Sequence, residues 1–346
     1  MFLLRGLSVM AATALAACGG SAATPTAIAV PTQAAQAANA SAPPLRVVTS
    51  VSPITSIAEN IGGTKISVEG VVPEGVNSHT FEPSPSVARV LAGADLVLLN
   101  GLFLEEPTLE MAEANLKEGA VILTLGDKTI TRDQWRFDFS FPESEGHPNP
   151  HLWPNPLLAL RYAELIKGEL SRLDPINGNY YAANYAAFKA RIEAFDAAIR
   201  SAIATIPEAN RKLLTYHDSW AYFAADYGME VIGAVQPSDF SEPSAREVAE
   251  LIVQIRKLKL PAIFGSEVFP SPVIEQIAKE GGARFVEELR DDDLPGAPGD
   301  PQHSYLGLVR TNMEIMVSAL GGDARLLAGL ETGPVYEGKA VAVYPQ

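Results

Sequence analysis

The chain carries five histidines, His79, His147, His151, His217 and His303, and an uninterrupted run of aspartates, Asp291, Asp292 and Asp293. Imidazole and carboxylate bind divalent transition metals where no thiolate is at hand. The single cysteine, Cys18, lies near the N-terminus. It allows neither a disulfide within the chain nor a cysteine cluster, so a metal site must be built from His, Asp and Glu. His79 sits in a loop after a strand-like run and ahead of the helix start Ser84-Pro85. His217 directly follows the apolar run 212–216. His151 follows a long polar stretch after the run 120–125. Ligands of open α/β sheets bind outside the carboxyl ends of the strands, where all three can reach. His147 and His151 are four apart, but Pro148 and Pro150 forbid a shared helix face. His303, in a Pro/Gly-rich loop before a helix, reads as solvated or capping. Three neutral imidazoles suit zinc, copper or nickel, and one carboxylate completes a tetrahedral zinc shell. The aspartate run, just after a strand, either supplies that carboxylate or is a solvated charged turn.

These residues need elements to hold them. From residue 45 onward, short apolar runs alternate with helical stretches, the pattern of βαβ units and parallel sheets. The spacing predicts strands at 45–51, 65–72, 95–99 and 120–125, then at 212–216, 230–235, 262–266 and 284–288. Ser52-Pro53, Ser84-Pro85 and Asn155-Pro156 read as helix starts, a cap residue followed by proline at the first helical position. Gly62-Gly63 reads as a stop. Further helices are predicted at 106–118, 218–227 (capped by Asp218), 244–258, 271–280 and 305–320, while 126–150 reads as loop. Residues 181–206 lack glycine and proline and repeat Tyr181, Tyr185, Phe188, Ile192, Phe195, Ile199 and Ile203 at helical spacing. One amphipathic helix over 179–206, about 40 Å long, is expected there. Its aromatic stripe reads as core packing, and its place between two similar halves lets it join two lobes.

The first residues read as an address. One positive charge in residues 1–5, an apolar run over 6–17 and Cys18 give the layout of a secretory signal peptide, 1–17. Leu15-Ala16-Ala17-Cys18 resembles the bacterial lipoprotein cleavage box, with Cys18 as the lipidated residue. Residues 19–44 are rich in Ala, Ser, Thr, Gln and Pro and carry no charge, which predicts a flexible tether.

Several blocks in fixed order resemble the zinc/manganese solute-binding protein family of bacterial ABC importers. They include Ile61-Gly62-Gly63, Asn77-Ser78-His79-Thr80-Phe81-Glu82-Pro83-Ser84-Pro85, Ala94-Asp95-Leu96-Val97, Asn149-Pro150-His151-Leu152-Trp153, His217-Asp218-Ser219-Trp220 and Glu242-Pro243-Ser244. The resemblance runs from about residue 47 to 320. It implies an α/β fold of two lobes, each a mostly parallel sheet with flanking helices, bridged by one long rigid helix. The implied boundaries are a lipidated Cys and tether at 18–44, an N-terminal lobe at 45–175, a linking helix at 176–208 and a C-terminal lobe at 209–346. The resemblance also implies a metal held between the lobes by His79, His151, His217 and an aspartate. The family pattern of Asp, a small or polar residue, then Leu or Ile matches Asp292-Asp293-Leu294 and nominates Asp292, with Asp291 and Asp293 adjacent. Glu267 matches a position that supports a ligand without touching the ion. The family's manganese members tend to have glutamate where this chain has His217. An imidazole there favours Zn²⁺ over Mn²⁺.

The implied function is an extracytoplasmic, lipid-anchored binding protein that delivers the ion to an ABC permease with its ATPase subunit, acting as a monomer. A net charge of −15 argues against nucleic acid as a partner. Four protein ligands would leave no open position for an activated water, which favours binding over catalysis. The rivals are a manganese importer subunit, a zinc-dependent hydrolase and a surface adhesin. The loop 138–147 is often histidine-rich in zinc importers. Here it holds only His147 with Asp138, Glu143 and Glu145. Histidine ligation predicts that affinity falls below about pH 6.5, where free imidazole protonates.

Overall fold

The alternation of apolar runs resolves into two four-stranded parallel sheets. The structure, a computed structural model, describes residues 43–268, 271–338 and 343–344. The predicted signal peptide, Cys18 and most of the tether lie outside the described residues. In the first sheet β1 (Leu45–Thr49), β2 (Ile66–Gly70), β3 (Leu96–Leu99) and β4 (Val121–Thr124) lie in the order β2-β1-β3-β4. In the second, β5 (Lys212–Thr215), β6 (Glu230–Ala234), β7 (Ala262–Ser266) and β8 (Arg284–Leu289) repeat that order as β6-β5-β7-β8. All four residues of β3 are buried, as expected of a parallel strand covered on both faces. Central β1 sets Val47 beside both Val68 and Leu96. In each sheet the chain reverses direction of travel beside its first strand, which opens a crevice at the carboxyl ends.

Ten helices cover the sheets among the described residues: α1 (Ser52–Gly62), α2 (Pro85–Gly93), α3 (Glu106–Asn115), α4 (Leu125–Thr129), α5 (Pro156–Leu173), α6 (Gly178–Ala204), α7 (Ala221–Tyr227), α8 (Ala245–Leu258), α9 (Pro272–Gly281) and α10 (Tyr305–Ala319). Proline stands in the first turn of α1, α2 and α5, and the Asn155 side chain accepts from the Leu157 N–H to cap α5. Ser244 and Glu247 form a reciprocal cap at the start of α8. Two expectations fail. The stretch 126–150 is not all loop, because α4 and two short 3₁₀ turns interrupt it. Asp218 does not cap α7, which starts at Ala221 with Trp220 before it; its carboxylate is drawn instead to the Ser140 N–H at 2.9 Å.

The linking helix α6 runs for 27 residues, about 40 Å at 1.5 Å per residue. It buries Tyr181, Phe188, Ile192, Phe195, Ile199 and Ile203 against α1, α5 and α10. Tyr185 is only half-buried, and Asn184 takes the inner position and donates to the Ile61 carbonyl at 3.0 Å. Residues of both halves share the main core, among them Ile54, Leu98, Phe195 and Met313, and a smaller core lies under β5–β7 with α8 and α9. Each large apolar side chain so buried contributes about 1.5–3 kcal/mol. Near the C-terminus, Val343 bridges back to Glu69 beside the first sheet, and the Tyr344 hydroxyl donates to Ser52 Oγ at 2.7 Å.

Candidate metal centre

The carboxyl ends of the two sheets deliver the candidate ligands to one point. His79 comes from a 3₁₀ turn (Ser78–Thr80) in the loop after β2, where Asn77 Oδ1 accepts the His79 backbone N–H at 2.9 Å. His151 comes from the segment between β4 and α5, and His217 stands two residues past the end of β5. Their Nε2 atoms form a triangle with edges of 3.1 Å (79 to 151), 3.3 Å (79 to 217) and 3.0 Å (151 to 217). An ion about 2.0–2.1 Å from each nitrogen of a tetrahedral shell separates them by about 3.3 Å. The triangle is therefore of ligand size.

Two of the three tautomers follow from the amides beside them. Asn149 donates its Nδ2 to Asp138 Oδ2 and to the Asp218 carbonyl, so its Oδ1 must accept, and it faces His151 Nδ1 at 2.8 Å. Gln236 donates Nε2 to the Phe240 carbonyl, leaving Oε1 to accept from His217 Nδ1 at 2.8 Å. Both imidazoles thus carry their proton on Nδ1 and turn a bare Nε2 lone pair inward. Those lone pairs face each other at 3.0 Å with no proton between them, a repulsion that a cation relieves. Burial first, and then the neighbouring imidazoles, holds His79 and His151 well below the ordinary histidine range. Burial lowers His217 to about 4. The neutral, ligand-ready form therefore extends well below pH 6.5, further than free imidazole predicts.

Carboxylates lie to one side. Of the three consecutive aspartates it is Asp291 that approaches one imidazole, with Oδ2 3.5 Å from His217 Nε2 and no hydrogen-bond partner among the described residues, while Asp292 Oδ1 is likewise buried without one. Asp292, the residue nominated by the family pattern, turns to the first lobe and accepts from the Ser78 hydroxyl at 2.6 Å. Asp293 accepts from the Gly75 N–H with both oxygens, at 3.0 and 2.8 Å. The physical reason is the turn itself. Glu267 Oε1 accepts the backbone N–H of Asp291, Asp292 and Asp293 at 3.0, 3.2 and 3.0 Å, which fans the three side chains in different directions. Burial, then the charge of Asp292, raises Asp291 well above the usual carboxylate range. Burial, then Asp291, does the same to Glu267. Burial is also the main cause that pushes Asp292 up to about 7 and Asp293 to about 6. So many carboxylates in one dry place cannot all ionise unless a cation joins them.

Neither remaining histidine reaches the triad. His147 is exposed and stacks on Phe103 with ring centroids 4.1 Å apart. His303 is neither solvated nor a cap: it is only 3% exposed, lies 3.8 Å from Glu74 Oε1 and has no hydrogen-bond partner on either ring nitrogen among the described residues. Ser304 caps α10 instead. Sequence reasoning missed Asn149 and Gln236 as holders of the imidazoles. It also missed Phe141 and Phe240, whose rings lie against His79 with centroids 5.5 and 4.4 Å away. The one signal for Asn149 was its place in the block Asn149-Pro150-His151.

Two parallel-sheet lobes joined by a long helix, with three imidazoles converging between them, define a solute-binding protein for a metal ion. The zinc-uptake complex component A family, described as periplasmic, matches residues 47–319, and the chain belongs to it. It is the substrate-binding component of an ABC import system for a divalent transition metal and not an enzyme. The chain is similar to the zinc-binding protein TroA of Treponema pallidum, 31% identical over 279 residues, covering 79% of this chain and 88% of that protein. It is also similar to the iron-binding protein YfeA of Yersinia pestis, 29% identical over 276 residues, 80% of this chain and 86% of that one. The manganese-binding lipoprotein MntA of Halalkalibacterium halodurans is 27% identical over 276 residues, 80% and 88%. The solved structure of the Treponema pallidum zinc-binding protein superposes with a TM-score of 0.73 at 28% identity, covering 80% of this chain and 99% of that one. Members of the family work with an ABC permease and an ATPase. No helix among the described residues is long and apolar enough to cross a membrane.

Proposed function

We propose that the protein captures Zn²⁺ between its lobes on His79, His151, His217 and Asp291, and hands it to an ABC permease while tethered to the membrane through a lipidated Cys18. The observation that carries this reading is the pair of amide-fixed imidazoles, His151 and His217, whose bare Nε2 atoms converge at 3.0 Å with His79 beside them. Three neutral nitrogens and one carboxylate make a closed tetrahedral shell that suits borderline-soft zinc. Burial favours the neutral form of Asp291, so the cation competes with a proton at this carboxylate. Asp292 and Asp293 act beside the site, tying the loop of His79 to the aspartate turn, and Glu267 holds that turn in place. The protein works as a monomer.

The relatives named for manganese and for iron support a second reading in which the cargo is a harder dication. Competitive titration of the purified mature protein with zinc against manganese separates the two. Zinc is expected to win by at least about tenfold, and equal or reversed preference overturns the assignment. The metal content of Asp291→Asn and Asp292→Asn proteins then identifies the fourth ligand. Radiolabelled palmitate should enter the wild-type chain and not the Cys18→Ser variant.

A further inference from the structure

Phe240 stands out among the residues around the site. It is one of four non-glycine residues with positive φ among the described residues, at 58°, a backbone state that a bulky side chain adopts only under constraint. It belongs to the loop between β6 and α8 in the second lobe, yet its ring stacks on His79 of the first, 4.4 Å between centroids at 22°. The same ring lies 6.2 Å from His217 and 6.1 Å from Phe141. Phe141, only 8% exposed, approaches His79 and His151 at 5.5 and 5.7 Å. Neither phenylalanine is part of the two hydrophobic cores. Their apolar surface is placed on the imidazoles, where it keeps water from the ligand set.

The strained backbone is pinned through a ligand. Gln236 accepts from His217 Nδ1 with its Oε1 and donates through Nε2 to the Phe240 carbonyl at 3.3 Å. The Phe240 N–H returns to the Pro237 carbonyl at 3.0 Å. One amide thus fixes both a candidate ligand and the ring that covers another. We infer that Phe240 is a gating residue: it closes the site across the lobes, slows the escape of the bound ion, and is released when His217 and Gln236 shift. This rests on the metal-binding reading above. With the ring seated, water cannot easily replace a ligand on the ion. Once the hydrogen bond from Gln236 is lost, the left-handed backbone favours relaxation away from His79. Strain held at a moving part of a site is the usual setting for such an outlier.

The experiment is stopped-flow release of Zn²⁺ from the full mature protein into excess chelator, together with the association rate, for wild type, Phe240→Ala, Phe240→Tyr and Phe240→Gly. Phe240→Ala and Phe240→Gly should release zinc at least about tenfold faster, with association changed by less than about twofold, because changes of cover act on escape. Phe240→Tyr, which keeps the ring, should release zinc at the wild-type rate. The metal-free melting temperature should not fall in Phe240→Gly, because glycine accepts the positive φ without strain. A release rate in Phe240→Ala within about twofold of wild type overturns the inference, as does a fast release that tyrosine fails to restore. A wild-type protein that retains no zinc overturns the metal-binding reading instead, so the two failures are told apart.

Discussion

The two lobes share one strand order but mount their candidate ligands in different ways. In the second lobe His217 and Asp291 each stand two residues past a strand, β5 and β8, and Gln236 and Glu267 of the same lobe hold them. In the first lobe His79 and His151 ride on loops well beyond β2 and β4, and contacts to the other lobe help to tie those loops down. The segment with His151 is tied across by Ser140 N–H to Asp218, Ser140 Oγ to the Gln236 carbonyl, Asn149 Nδ2 to the Asp218 carbonyl, and Trp153 Nε1 to the Asp291 carbonyl. The loop with His79 is tied by Gly75 to Asp293 and by Ser78 to Asp292. The comparison teaches that the second lobe carries its candidate ligands close to its sheet, whereas the first carries them on loops that the second lobe helps to hold. A long helix with a continuous buried stripe, α6, suits such a frame, because it holds the lobes at fixed separation while loops make the final fit.

That division predicts a graded response to mutation. The largest losses come from the ligands themselves. His151→Ala and His217→Ala should each lower zinc affinity on the order of a hundredfold or more, since a complete four-ligand site is worth about 10–16 kcal/mol. Chelator competition reads this directly. If His217→Ala binds as tightly as wild type, the second lobe does not hold a half-site. Next comes the aspartate pair. Asp291→Asn should lose affinity by a factor approaching that of a histidine ligand, and Asp292→Asn by about tenfold at most. The reverse ranking would return the ligand role to Asp292 and make its bond to Ser78 a feature of the metal-free turn.

The residues that hold ligands come third, and they sharpen the contrast between lobes. Asn149→Ala removes the acceptor of His151 Nδ1–H and also a tie to the second lobe. Gln236→Ala removes only a partner within its own lobe and the bond to Phe240. Both should cost about 10–100-fold in affinity. Asn149→Ala should in addition raise amide exchange through residues 135–149, whereas Gln236→Ala should leave that segment protected. Equal exchange in the two variants would remove the case for a first lobe dependent on its neighbour.

Much of this was legible in the sequence, and the gaps have physical causes. The strands and helices could be read because parallel strands buried on both faces are plain apolar runs, and because Pro and capping residues mark helix starts. The predicted helix 179–206 lies within about two residues of α6 at each end, since that stretch holds neither glycine nor proline and has few alternatives. The three histidines could be picked by their place after strands. The choice among Asp291, Asp292 and Asp293 could not, because it depends on how Glu267, 24 residues away, gathers their N–H groups and fans their side chains. Burial of His303 and the covering rings Phe141 and Phe240 were equally hidden. Those positions are set by contacts across the lobes, which leave no periodicity in the chain. Stretch 126–150 was opaque because its helical pieces are single turns, too short to show a period.

The smallest expected effect concerns pH, and it sets the imidazole side of the site against the carboxylate side. His217 has a folded value of about 4 against about 6.5 when unfolded. Between those values the unfolded chain binds the extra proton, so this group makes the metal-free protein lose stability as pH falls from about 6.5 toward 4. Asp292 and Asp293, raised to about 7 and about 6 from about 3.9, do the opposite. Their folded forms hold protons that the unfolded chain has lost, so they add stability at the acid end of this window that is lost as pH rises through 6 to 7. Two carboxylates outweigh one imidazole, so the melting temperature of the metal-free protein should fall as pH rises from 5 to 7. Zinc opposes this trend, because it needs unprotonated imidazoles and ionised carboxylates together. The rise in melting temperature on adding zinc should therefore grow steadily from pH 5 to 7.5, and calorimetry in buffers of different ionisation enthalpy should show a proton released on binding. In Asp291→Asn that release should vanish while the imidazoles remain neutral. A release that persists in this variant would place the displaced proton on a histidine, and with it the pH sensitivity of the site.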